Sequence, residues 1–161
     1  MKKNCQSTKG IGLIEVIVAL TIIFISFFSF LTLAQYSLRL QEQSKSKLEA
    51  INLTAEAIEA TRAVRDENWT NFASLSLENP YYPIISENKW TLSSVDPGLI
   101  NGIYARWIIM ERVYRDDNDN ISDSGAEDNQ TKKITAFVEW NERDQTKQIN
   151  LITYLTNWNE E

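Results

Sequence analysis

The stretch KGIGLIEVIVALTIIFISFFSFLTLA, residues 9–34, decides how this chain is read. From Ile11 to Ala34 it contains one charged residue, Glu15, in 24 positions. A helix of that length reaches about 36 Å, enough to cross a hydrocarbon core of about 30 Å. Lys2, Lys3 and Lys9 precede it, and the next basic residue is Arg39. That asymmetry places the N-terminus in the cytoplasm and the remainder outside. Glu15 is the anomaly. A carboxylate in a membrane span costs on the order of 3 kcal/mol on insertion scales and usually has a job there. Its place near the start of the run lets it snorkel and softens the cost.

Three readings fit the segment. A secretory signal could be cut after Thr32-Leu33-Ala34, but the apolar run exceeds the 7–15 residues usual for such signals. An uncleaved signal anchor accounts for the length and the lysines. A prepilin leader, cut before the apolar run, accounts for Glu15 as well.

Lys9-Gly10-Ile11-Gly12-Leu13-Ile14-Glu15-Val16-Ile17-Val18-Ala19-Leu20 resembles the processing signal of type IV prepilins and type II secretion pseudopilins. The resemblance implies cleavage after Gly10 by a membrane-embedded prepilin peptidase, with Ile11 as the new, methylated N-terminus. It implies that Glu15 pairs with the N-terminal amine of a neighbouring subunit as helices pack into a filament. A buried pair of that kind sets register more than it adds stability. Gly10 leaves the backbone open to the peptidase. Ile11 replaces the commoner Phe, and Gly12 stands where Thr or Ser is frequent. Thr32 occupies the position where major pilins often carry a proline that kinks the helix. The string Glu15 to Leu20 is more similar to minor pilins and minor pseudopilins than to major ones. Implied partners are other pilin or pseudopilin subunits, the prepilin peptidase and the inner-membrane assembly machinery. The implied location is a single-pass membrane protein with an outer head, then a filament.

Residues 35–67 lack Gly and Pro. Leu48, Ile51, Ala55, Ile58 and Arg62 recur at spacings of three and four, with Ala50, Ala57 and Val64 beside them, which predicts one apolar helical stripe. One helix from about Ile11 to Arg65 follows. The expected organisation is a basic leader at 1–10, a transmembrane and assembly helix at 11–34, its amphipathic continuation at 35–67 and a β-rich head at 68–161.

Residues 68–102 read as irregular, with turn signals at Asn79-Pro80, Tyr82-Pro83 and Asp96-Pro97-Gly98. Within them, Lys89–Val95 makes a short strand. Tyr104–Tyr114, Lys133–Trp140 and Gln148–Thr156 read as strands from their β-branched and aromatic content. A hairpin turn falls in 141–147. The expected fold class is α+β, pilin-like, with one long helix on an antiparallel sheet of 3–4 strands. The five tryptophans and six tyrosines all lie at Tyr36 or beyond. They read first as core for a head without disulfides, and second as a sugar- or partner-binding surface.

Composition limits the chemistry. The chain has no histidine, and its only cysteine is Cys5. That removes the commonest general base and any Ser-His or Cys-His pair, and an enzyme is not expected. The net charge is −6; residues 11–161 carry 13 basic and 22 acidic side chains. An acidic head argues against nucleic acid. The loop DDNDNISDSGAEDNQTK, residues 116–132, places Asp116, Asn118, Asn120 and Glu127 at positions 1, 3, 5 and 12 of an EF-hand-like calcium loop. Ile121 replaces the turn glycine and no helices flank it. The first reading is a solvated hairpin loop; the second is a calcium site on those residues or on Asp117, Asp119 or Asp123, and calcium is the only cofactor the sequence suggests. Asn-x-Ser/Thr sequons occur at Asn52, Asn68, Asn120 and Asn129, as abundant asparagine produces by chance.

Overall fold

The computed structural model describes residues 12–158, in two compact units that divide after Ser44. Helix α1 spans Leu13–Glu67 without a break. Nothing in those 55 residues interrupts a helix, since neither Gly nor Pro occurs. In the first unit its large apolar side chains, among them Leu13, Ile14, Phe28 and Leu33, are exposed. Thr21, Ser26, Ser29 and Thr32 donate their hydroxyls to carbonyls of Val18, Ile22, Ile25 and Phe28, three or four residues back.

The second unit holds the rest of α1, a five-residue helix α2 (Trp69–Ala73) and a sheet. The strands are β1 (Pro80–Ser86), β2 (Lys89–Ser93), β3 (Tyr104–Arg115), β4 (Ile121–Ser122), β5 (Ala126–Glu142) and β6 (Gln145–Thr156). They pair antiparallel in the order β2-β1-β3-β5-β6, with β4 beside the end of β3. The fold is α+β, one long helix on an antiparallel sheet, as the sequence predicts. Six strands replace the three or four expected.

The helix uses the predicted stripe at Ile58 and the small residues expected beside it, Ala50 and Ala57, but not Leu48 or Ile51. Leu48 and Ile51 are exposed, and the buried positions are Ala50, Thr54, Ala57, Ile58, Ala60 and Thr61. Small side chains let the helix backbone close on the sheet, where Ile108, Met110, Ile134 and Ala136 complete the core. The two threonines cost no unpaired donor, because their hydroxyls bond the carbonyls of Ala50 and Ala57. Inward positions on β5 alternate as expected, with Ile134, Ala136, Val138 and Trp140 buried.

Two tight hairpins have positive φ at both central residues, Glu87-Asn88 and Arg143-Asp144. Each joins strands across a two-residue loop, with Ser86 opposite Lys89 and Glu142 opposite Gln145. This is the turn geometry whose twist matches that of the flanking strands. The second falls within the hairpin region expected at 141–147.

Strand β1 contains both Pro80 and Pro83. It pairs with β3 only at Pro80 and Tyr81. Beyond that point the Pro83 carbonyl accepts a hydrogen bond from the Arg106 guanidinium at 3.1 Å. A side chain thus replaces the ladder where proline has no N–H to offer.

Candidate functional site

Two places carry the residues that the sequence singles out. The first is the start of α1. Gly10 and Ile11 lie outside the described residues. Gly12 opens the helix, its carbonyl accepting from the amides of Glu15 at 2.9 Å and Val16 at 3.3 Å. Glu15 falls in the first turn. A carboxylate is favoured there by the amide groups that have no helical partner. Among the described residues its side chain has no hydrogen-bond or ion-pair partner, and it stands among exposed Leu13, Ile14, Val16 and Ile17. This helix is long and apolar enough to cross a membrane.

The second place is the acidic hairpin. It is shorter than its sequence suggests, because residues 126–132 belong to β5, where Ala126 pairs with Arg115 and Glu127 with Tyr114. A break in register between Arg112 and Tyr114 turns the strand end. Gly125, at φ +139, passes so close to the Arg115 carbonyl that a Cβ there would collide with it. Asp116 closes the loop on itself: one carboxylate oxygen accepts from the amides of Asn118 and Asn120, each at 2.9 Å. The Asn120 side chain also reaches it. Glu127 lies 3.6 Å from the Arg112 guanidinium. Asp116 and Glu127 line one open depression with Asp117, Asp119 and Asp128. Arg115 reaches into the same depression and bonds Asp128 at 2.7 Å. Asn118 and Asn120 do not line it. No group of three or more acidic, cysteine or histidine side chains among the described residues converges as a metal site. Asp116 is engaged by amides, and Asp119, Glu127 and Asp128 by arginines.

This wiring gives the hairpin an acid sensitivity. The backbone N–H of Asn120, then its side chain, with the Asn118 amide, hold the Asp116 carboxyl below its ordinary value. Burial alone would raise Asp128, but bonds from Arg115, Thr131 and the Gln130 amide outweigh it and hold that carboxyl low as well. Carboxyls held low stabilise the folded chain above the unfolded value of about 3.9, and the gain is lost as pH falls through the lowered value. Asp128→Asn is therefore expected to lower the melting temperature at pH 6. The difference from wild type should shrink steadily below about pH 4. A pH-independent difference would mean that Asp128 is not held by its ionised form.

Sequence reasoning missed that Arg106 is a buried cation of the head, as Lys132 also is. The side chain of Arg106 is 7% exposed; it reaches Glu56 on α1 at 2.8 Å and lies under the Trp90 ring at 5.8 Å. Its only signal was an arginine in the inward register of β3, between Tyr104 and Ile108. The aromatics divide. Tyr81, Tyr104 and Trp140 are core, as read first, while Tyr36 and Trp158 are exposed. Trp107 and Phe137 stack at 5.5 Å. Asn68, one of the sequons, serves as the N-cap of α2.

No family model, curated protein or solved structure matches this chain.

Proposed function

We propose that the chain is a structural subunit, a minor one, of a type IV pilus or a related filament. On this reading prepilin peptidase cuts after Gly10, Ile11 becomes the methylated N-terminus, and subunits assemble through the apolar half of α1. The observation that carries it is Glu15: one carboxylate, in the first turn of a helix whose first half is otherwise without charge, five residues after a glycine that ends a lysine-rich leader. The exposed apolar side chains of residues 13–33 support it, because they need either lipid or other helices around them. The head adds a sheet with β2 and β6 as its edge strands. A type II secretion pseudopilin is the alternative within the same class.

An uncleaved, membrane-anchored binding or sensor protein is the competing reading. The three lysines ahead of a membrane-length helix favour it equally. Co-expressing the full chain with prepilin peptidase and weighing the mature protein separates the two. The expected product begins at Ile11 and carries one added methyl group. An intact chain means the anchor. A product beginning at Gln35 means an ordinary secretory signal.

A further inference from the structure

Strand β2 is an edge of the sheet, and an open groove of about 430 Å³ runs beside it. Val64, Phe72 and Leu75 line the groove from the helical side, and Trp90, Thr91 and Leu92 from the strand. Successive strand side chains point to opposite faces, so a hollow touching three in a row lies along the strand's edge and not on its face.

The backbone groups at that edge are free. Pro83 is opposite Leu92. Its carbonyl bonds Arg106, on β3, at 3.1 Å, so it points away from β2. In an antiparallel ladder a residue turns its N–H and C=O to the same side, and facing residues do so alike. Pro83 and Leu92 are thus a non-hydrogen-bonded pair, and Leu92 turns both groups outward. Two residues earlier, Trp90 does the same. None of these four groups has a hydrogen-bond partner among the described residues. The walls are fixed: Leu92 packs against the core with Val64 and Leu75, and Arg106 supports the Trp90 ring. Glu67 is the one ionisable lining residue, and Lys89 neutralises it at 2.6 Å.

We propose that this edge and groove bind an extended peptide strand of another polypeptide. The strand would be uncharged across the groove and apolar at alternate positions. Its backbone would bond Trp90 and Leu92, extending the sheet, and its inward side chains would fill the space above Phe72 and Leu75. Backbone pairing supplies affinity in strand addition, and the pockets for alternate side chains supply selectivity. Nothing in this requires that the chain assemble into filaments.

The test is panning of a randomised eight-residue peptide library against the full chain in detergent micelles. Counter-selection against Asn71→Trp removes peptides that bind the apolar helix. Asn71 is an exposed groove residue, and a tryptophan there fills the hollow. The expected result is a set of peptides with alternating apolar residues that bind the wild type and lose at least about tenfold with Asn71→Trp. Leu92→Pro removes one outward N–H while sparing the β1 ladder, and about a tenfold loss is expected there too. Circular dichroism checks that both variants fold; if Leu92→Pro does not, Asn71→Trp decides alone. Finding no peptide that distinguishes wild type from Asn71→Trp overturns the proposal. So does binding that survives Leu92→Pro in a folded protein, which would make the groove a pocket for a side chain or small solute.

Discussion

Phe72→Ala is expected to destabilise the head by about 3–5 kcal/mol, the range for emptying a buried phenylalanine site. A fall in melting temperature on the order of 10 °C or more would report it. Phe72 is 0% exposed and shares the main core with Ile58, Ile108, Met110 and Leu155. The loss should exceed the transfer of one side chain because α2 depends on it. Five residues cannot hold a helix in water unaided. Trp69, whose ring lies 5.6 Å from that of Phe72, is then left without its support. Asn68→Ala, which removes only the cap, should cost about 1 kcal/mol. If the two substitutions cost the same, α2 is held by its cap and not by its anchor.

The second large effect concerns Arg106. Its guanidinium is buried, whereas Glu56 is 47% exposed, so the pair lies at the boundary of the core. Glu56→Ala strands a buried cation. Full burial of both partners would make that cost about 3–5 kcal/mol. With Glu56 half in water, about 2 kcal/mol is expected. Arg106→Ala should cost more, since it also leaves the Pro83 carbonyl unbonded and takes the support from Trp90. The double variant should cost less than the sum, with a coupling of about 1 kcal/mol or more in urea unfolding. The exposed pair Arg62–Glu59, at 2.6 Å, is the control, with coupling below about 0.5 kcal/mol. Equal coupling in both pairs would show that the burial of Arg106 is immaterial.

How much of this was legible in the sequence differs by element. Helix α1 could be read to within about two residues at each end, because its first half is continuously apolar and no Gly or Pro interrupts either half. Strands β3 and β6, and the inward alternation of β5, follow from β-branched and aromatic runs. The buried face of α1 was legible in part, at Ile58, Ala50 and Ala57. Hydrophobicity also marks Leu48 and Ile51 as core, but close approach to a sheet selects Thr54 and Thr61 in their place, which no apolar scale ranks highly. Strand β1 was hidden by Pro80 and Pro83, tolerated only because β3 leaves its side after Tyr81. The first half of β5 was hidden by its charge, since Glu127 and Asp128 read as loop until their partners Arg112 and Arg115 are seen. For the candidate sites, Glu15 stood out because charge is rare in its surroundings. The β2 groove could not be foreseen, because it exists only where a short helix and an edge strand meet.

The four hydroxyls of the apolar half of α1 have a consequence for where that helix can live. Thr21, Ser26, Ser29 and Thr32 each satisfy their donor within their own helix. None needs a partner from outside. A helix that carries its own partners has no hydrogen bond to exchange at these positions, whether lipid tails or the flanks of other helices surround it. On the proposed assembly reading, a move from the first environment to the second would turn on the one carboxylate, Glu15, while these hydroxyls would be indifferent to it.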